Sequence, residues 1–384
     1  MPETAETLFN DERDAAGDQI HATGIVPAQG LRAFIRDKTI QSIEPIDEAQ
    51  IQPASLDLRL GDTAYRVRAS FLPGPGSSVE QRMRELSMHE IDLTDGAVLE
   101  KGCVYIVPLM ESLRLEKRLY GVANPKSSTG RLDIFTRLIV DGADAFDRVR
   151  PSYRGLLYAE ISPQTFSIVV KKGVSLNQLR LRRGSPSATD TELRRLHESH
   201  PLVEGEGVEA NIERGLAFSV DLKGEGASAL IGYRAKRHTA LIDLSQVSAY
   251  DQCDFWEPVH AEAGGRLVLN PGDFYILMSR EAVSVPPEYA AEMTPYDTLM
   301  GEFRVHYAGF FDPGFGYAES GGKGSRAVLE VRSHEVPFML EHGQIVGRLV
   351  YERLTAIPDK IYGSGIGSNY QRQGLQLAKQ FKKV

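Results

Sequence analysis

Three stretches of this 384-residue chain carry side chains whose types and spacing could do chemistry. The first is Pro125-Lys126-Ser127-Ser128-Thr129-Gly130-Arg131. Adjacent hydroxyls and backbone N–H groups in a tight turn, flanked by two cations, form a nest suited to phosphate oxygens. Arg131 adds planar, two-pronged hydrogen bonding that a lysine cannot offer. A plain solvated turn would read the same way. The second combines Gly142-Ala143-Asp144-Ala145-Phe146-Asp147, then Tyr153-Arg154-Gly155, then Glu160 inside Leu156-Leu157-Tyr158-Ala159-Glu160-Ile161. A carboxylate in an apolar strand is costly unless it is paired, or kept because a raised pKa is useful. Its counterpart is Glu330 in Ala327-Val328-Leu329-Glu330-Val331, preceded by His306, Ala308 and Phe311-Asp312-Pro313-Gly314. A lone strand glutamate is ordinarily a surface residue; two at matching positions weaken that reading. The third stretch runs from Tyr362 through Gly363, Gly365 and Gly367 to Asn369, Arg372 and Gln373. Glycines followed by an aromatic, an amide and a cation suit a flap that closes over a ligand, although a merely flexible tail has the same composition.

Two other motifs fail. His260-Ala261-Glu262 reads like the first half of a zinc deaminase site, but no later P-C-x-x-C follows it. Zinc chemistry of that kind is excluded. There is also no G-x-x-x-x-G-K-[ST] phosphate loop.

The elements that must position these residues come in two copies. Val98-Leu99-Glu100-Lys101-Gly102 recurs as Val268-Leu269-Asn270-Pro271-Gly272, and Pro125, Glu160 and Gly173 recur as Pro295, Glu330 and Gly343, each 170 residues on. With shorter offsets, the segment from Ala54 to Arg59 echoes that from Ala217 to Lys223, and Ile91-Asp92-Leu93 echoes Ile242-Asp243-Leu244. A repeat this long is a duplicated domain; solenoid periods run roughly 20–50 residues. Within each copy, short β-branched runs such as Val104-Tyr105-Ile106-Val107 and Phe274-Tyr275-Ile276-Leu277-Met278 alternate with Gly, Pro and Asp, an all-β signature. The expected organisation is a mobile leader over 1–22, a first β domain over 23–182, a linker over 183–212, a second β domain over 213–357 and a ligand-closing tail over 358–384. Short helices are expected around Leu31-Arg32-Ala33-Phe34-Ile35 and from Asp190 to Leu196, the latter capped by Asp190. The end of the tail looks helical and basic through Leu375, Leu377, Lys379 and Lys383.

Composition narrows the setting. Apolar residues at 42% and charged residues at 25% are those of a soluble globular protein. No apolar run approaches the roughly 20 residues needed to span a bilayer, and no signal-peptide layout opens the chain. Two cysteines, Cys103 and Cys253, cannot make a disulfide framework, so a reduced, cytoplasmic setting is expected. A net charge of −8 argues against nucleic-acid binding but not against a small phosphorylated ligand.

Together these residues resemble the dCTP deaminase and dUTPase superfamily, closest to the dCTP deaminases. The resemblance covers most of the chain from about residue 26, in two copies. Gln52-Pro53-Ala54-Ser55-Leu56-Asp57-Leu58-Arg59-Leu60-Gly61 resembles that family's first strand. Its Ser-Ser-x-x-Arg triphosphate element matches Ser127, Ser128 and Arg131, beside Lys126; its nucleoside-binding hairpin resembles segment 142–147 with Tyr153, in the dUTPase form. Its Val-Leu-Glu, whose glutamate is the general base, matches Val328-Leu329-Glu330, and Glu160 holds the same place in a less typical context. Tyr362, Asn369 and Gln373 fall at the spacing of the family's tail tyrosine, lysine and glutamine, with Asn369 replacing the lysine.

The resemblance implies tandem distorted β-barrel or jelly-roll domains and a trimeric homo-oligomer with sites between subunits. It also implies a triphosphate substrate carrying Mg²⁺ and deamination of dCTP to dUTP without a catalytic metal. Hydrolysis of dUTP, alone or after deamination, is a second enzymatic reading, with Asp147 orienting water. A catalytically silent nucleotide sensor is a third reading. Inhibition by dTTP is a family expectation.

The copies diverge where a nucleotide would be held. Ser127, Ser128 and Arg131 become Asp297, Thr298 and Gly301, and an Asp there would repel a triphosphate. The second copy keeps the more deaminase-like His306, Asp312 and Glu330. The expectation is one composite site, joining Ser127, Ser128 and Arg131 of copy one to Glu330 of copy two and the tail.

Overall fold

Val104–Arg114 and Phe274–Val283 are almost unbroken apolar runs, buried along most of their length, as strands covered on both faces must be. Each is the middle strand of a six-stranded sheet. Residues 21–205, 207–224, 229–295, 303–305, 309–317, 323–333, 335–362 and 374–383 are described by the computed structural model, with the backbone of a short strand pair, Glu12–Arg13 and Gln19–Ile20. Most of the leader therefore lies outside the described residues. The rest is mainly β-strand with a few short helices, in two halves.

Strands of the halves correspond at the offset seen in sequence. Val104–Arg114, Leu119–Pro125 and Ser175–Arg183 have counterparts in Phe274–Val283, Tyr289–Pro295 and Ile345–Arg353, each beginning 170 residues later. Register is kept as well. Glu160 lies opposite Ile106, and Glu330 opposite Ile276. Leu119 faces Arg183, and Tyr289 faces Arg353. Because a one-residue slip would turn every side chain to the other face, this register sends both glutamates inward. One echo differs. Ile91-Asp92 ends a strand paired within its own half, whereas Ile242–Asp243 crosses over and pairs parallel with Ile168–Val170 of the first half. Its sequence likeness is local; its partner is set by where the chain lies.

The halves share a core. The largest apolar cluster contains Leu58, Val107, Ile134 and Phe166 of the first half together with Phe255, Trp256 and Phe274 of the second. It also takes in Leu377, Ala378 and Phe381 from the end of the chain. That end is not the helix its composition suggested. Ser248 N–H donates to the Lys379 carbonyl and Lys382 N–H to the Tyr250 carbonyl, both at 2.9 Å. The Phe381 ring packs 5.5 Å from Phe255 and 6.0 Å from Trp256, centroid to centroid. Burial of this anchor outweighs a weak local helix preference. Phe381→Ala is accordingly expected to cost about 3–5 kcal/mol, seen as a lower urea midpoint.

Two helices do form. Ala28–Arg36 buries Ala28 and Leu31 and leaves its polar side free. From that side Gln29 Nε2 donates to the Ile357 carbonyl at 2.7 Å, and Arg32 pairs with Asp359 and Glu48. The start of the tail is thus held by the first half. In the linker, Asp190–Ser199 is capped by Thr189, not by Asp190. Thr189 and Glu192 form a reciprocal capping box, which satisfies two end donors at once. Asp190 instead accepts from the backbone N–H groups of Arg214 and Gly215, tying the linker to the second half.

Candidate active site between the two halves

Lys126 enters the phosphate turn with an extended backbone, and Ser127–Gly130 follow as a single helical turn. The turn is fixed from behind: Lys126 N–H and the Thr129 hydroxyl both donate to the Leu176 carbonyl, at 2.9 and 2.8 Å. Ser127 is exposed, Ser128 half-buried and Arg131 buried. The Lys126 ammonium pairs with Asp57, from the strand the sequence singled out as family-like. Burial raises the Asp57 carboxyl above its ordinary range, and Lys126 pulls it back. Arg131 Nη1 donates to the Gln376 carbonyl at 2.9 Å, so the tail rests directly on the turn.

Glu330 reaches the same place from the second half. Two residues along its strand, the Arg332 guanidinium pairs with Asp133 and donates to Thr165 Oγ1 at 2.9 Å; Thr165 in turn donates to Asp133 at 2.5 Å. This clamp between halves sets Glu330 within the field of Arg131. Glu330 is only 5% exposed. Burial pushes its carboxyl up to about 7, opposed by Arg131 and reinforced by Asp133. A carboxyl poised there can take and return protons near neutral pH.

Asp312 also faces the first half. It accepts from the fully buried Arg180 at 3.1 Å and lies close enough to Asp57 and Lys360 to feel their charges. Arg180 stacks 4.0 Å from the Phe310 ring centroid. Tyr362, at the start of the flap stretch, donates its N–H to the Pro313 carbonyl and packs its ring 5.7 Å from that of Phe315. Arg131 and Glu330 thus lie near one another, as do Asp57, Lys126 and Asp312, with Gln376 of the tail on Arg131 and Tyr362 on Pro313.

Glu160, Asp147 and Tyr153 form a different group. Arg137, directly across the strand pair, donates to Glu160 Oε1 from Nε at 3.0 Å and again from Nη2. Its guanidinium lies between the rings of Phe135 and Phe146, at 4.6 and 3.5 Å. The Val79–Leu86 helix covers this side, packing Val79 and Met83 with Ile106 and Tyr158. Asp147, also raised to about 7 by burial, accepts from Leu138 N–H at 2.7 Å. Tyr153 is buried and its hydroxyl donates to the Leu156 carbonyl at 2.6 Å. His306, Ala308, Asn369 and Gln373 lie outside the described residues, as do Asp297, Thr298 and Gly301.

Sequence reading missed Arg137, Asp133, Thr165, Arg332 and Arg180. Arg137 had a weak signal, since strand register sets it opposite Glu160. Asp133 and Arg332 lie 199 residues apart, with no local pattern joining them. Among the described residues, no group of three or more His, Cys, Asp or Glu could hold a metal, and no helix is long and apolar enough to cross a membrane.

In this all-β protein the two halves thus bring a cationic hydroxyl turn near a buried carboxylate. Residues 22–185 match the family model for the 2'-deoxycytidine 5'-triphosphate deaminase (DCD) N-terminal domain, and residues 189–381 match that for the C-terminal domain. The chain belongs to the dCTP deaminase family. Its structure is similar to the crystal structure of 2'-deoxycytidine 5'-triphosphate deaminase from Agrobacterium tumefaciens, with 58% identity and a TM-score of 0.84, covering 87% of this chain and all of that one. A protein of Beutenbergia cavernae named "dCTP deaminase, dUMP-forming" is 32% identical over 37% of this chain and 74% of its own length. One of the same name from Halobacterium salinarum is 34% identical over 29% of this chain, and the match spans 55% of its length.

Proposed function

We propose that this chain deaminates dCTP at one composite site, with the phosphate turn of the first half holding the triphosphate and Glu330 of the second half serving as the base. The observation that carries this reading is a buried Glu330 of the second half, raised to about 7 by burial and lying within the field of Arg131 on the turn of the first half. Glu330 as carboxylate takes a proton from water, which attacks C4 of cytosine. The proton passes to N3; the carboxylate then moves the proton of the new C4 hydroxyl to the 4-amino group, and the C4–N bond breaks to release ammonia as the C4 carbonyl forms. Arg131, fixed by Gln376, keeps the carboxylate form accessible by its charge. Glu160 has the matching strand position, but Arg137 neutralises it and the Val79–Leu86 helix covers it; its role is structural.

The turn's own side chains are hydroxyls and cations, so Mg²⁺ would be carried on the substrate's triphosphate oxygens, where it would neutralise part of their charge. Two free thiols, Cys103 and Cys253, fit a reducing, cytoplasmic setting. Each chain of a homo-oligomer would carry its own site. dTTP, sharing triphosphate and deoxyribose, is the expected inhibitor.

A second reading, deamination followed by hydrolysis to dUMP, is favoured by the names of the curated relatives. Incubation with dCTP and Mg²⁺ separates the readings. Ammonia with intact dUTP supports deamination alone, and ammonia with pyrophosphate and dUMP supports the coupled reaction. Binding without ammonia sinks the proposal in favour of a sensor. Joint replacement of Ser127 and Ser128 by Ala should raise KM for dCTP about 10–100-fold, by loss of hydrogen bonds to a charged group, with a smaller change in kcat.

A further inference from the structure

Two residues past Arg131 stands Asp133, and two residues past Glu330 stands Arg332. The four charges are complementary crosswise between the halves. Arg332 pairs directly with Asp133, while Arg131 bears on Glu330 through its field. Asp133 is buried, with a φ of 55°, a left-handed backbone that Asp and Asn tolerate better than most side chains. Its N–H donates to the Gly130 carbonyl at 2.8 Å, and its own carbonyl accepts from Gln164 N–H at 2.9 Å. These bonds fix the backbone from which the carboxylate projects. Arg332 is held from both halves: Nη1 donates to the Gly272 carbonyl at 2.8 Å, and Nη2 reaches Asp133 and Thr165 Oγ1.

A buried ion pair adds little net stability, because desolvation cancels most of the attraction. Its placement says more. At the corresponding positions, 170 residues on from Asp133 and 170 back from Arg332, stand Phe303 and Ser162. The clamp can therefore form in only one of the two crossed arrangements of the halves, the one that joins the Ser127–Gly130 turn to Glu330. Residues 330 and 332 project from one face of their strand, so holding Arg332 also sets how Glu330 approaches Arg131. The neighbouring strand presents the apolar Ile276 opposite Glu330. Among the described residues, the charges that bear on Glu330 are those of Arg131 and Asp133, and they oppose each other.

We infer that Asp133, Thr165 and Arg332 are positioning residues for Glu330, locking its strand against the turn of the other half and setting a negative charge beside it. The inference rests on the proposed function for the part Glu330 plays in turnover, but not for the hold of the clamp on that side chain.

The test uses the full chain and two readouts, kcat/KM for dCTP against pH and the urea midpoint against pH. D133N keeps the side-chain shape and tolerates the left-handed backbone, but it removes the negative charge, so Glu330 ionises more easily. The acidic limb of kcat/KM should move down by on the order of one pH unit. Without reference to activity, the stability gained on adding E330Q should level off about one pH unit lower in D133N than in the unaltered protein. D221N, which breaks the ion pair with Arg326 on the Glu330 strand but within the second half, should move neither. R332M should lower kcat about 10–100-fold, the range for a misplaced catalytic group, with KM within about threefold. R332K should recover part of that loss, and T165V should lower kcat by less than R332M. An unmoved unfolding profile or pH limb in an active D133N, an equal shift in D221N, or unchanged kcat in R332M would each overturn the inference. A shifted unfolding profile in D133N, with no ammonia released from dCTP by the unaltered protein, would sink the deaminase reading alone.

Discussion

Glu330→Gln is expected to lower kcat for dCTP by about 10²–10⁴-fold with little change in KM, the range for loss of a general base. The variant keeps the shape and one hydrogen-bonding oxygen of the side chain but cannot take a proton from water. In the unaltered protein, activity should fall about tenfold per pH unit below the raised pKa of about 7, because only the carboxylate form is a base. Stability should move the other way. The folded chain holds a proton on Glu330 up to about pH 7, whereas the unfolded chain releases it near 4.5. Stability from this group is therefore complete below 4.5 and is lost as pH rises to 7. At pH 8, Glu330→Gln should unfold later than the unaltered protein by on the order of 3 kcal/mol, and near pH 4 the two should match. Glu160→Gln should show the reverse pattern. Turnover stays within a few-fold, while loss of its pairing with Arg137 costs about 2–4 kcal/mol. If Glu160→Gln abolished turnover and Glu330→Gln did not, the assignment would be exchanged.

The second large effect concerns the contact between halves. Leu119–Pro125 and Ser175–Arg183 pack against their own counterparts, Tyr289–Pro295 and Ile345–Arg353. Equivalent positions meet there, for Arg182 pairs with Glu352, 170 residues on. Arg182 also pairs with Glu292 at 2.6 Å, and Asn124 donates to the same carboxylate at 3.0 Å. Both Arg182 and Glu352 are nearly buried, at 7% and 4% exposure, so removing one leaves a desolvated charge behind. Arg182→Met should cost about 3–5 kcal/mol in urea unfolding, and Arg182→Glu more, since three carboxylates would then face each other. Adding Glu352→Arg to Arg182→Glu should recover much of the loss, as a double-mutant cycle would show. The same charges explain why unlike halves pair. Two first halves would place Arg182 against Arg182, and two second halves would oppose Glu352 to Glu352. Because Arg131 and Glu330 belong to different halves, this pairing is also what brings them together.

How much of this was legible in advance differs by feature. Strand runs, a turn at Ser127–Gly130 and two glutamates at matching strand positions could all be read, since each rests on local residue patterns, repeated 170 positions on. The linker helix was legible but its cap was not, because Thr189 and Asp190 are both good caps and only the fold shows Asp190 engaged with Gly215. The tail's end read as a helix because its spacing of Leu375 and Leu377 among polar residues says nothing of the aromatic cluster awaiting Phe381.

The sequence by itself determined an all-β chain in two corresponding halves, with the Lys-Ser-Ser-x-x-Arg run in only one of them. It also determined that two glutamates share one strand position. Tertiary structure alone decided their different surroundings. Glu160 meets Arg137 across a strand pair, beside a helix of its own half; Glu330 is buried within the fields of Arg131 and Asp133 of the other half. The reason is physical. Periodicity and turn chemistry depend on near neighbours in the chain. Desolvation and ion pairing depend on what packing brings close, here residues as far apart as Arg131 and Gln376, 245 positions away.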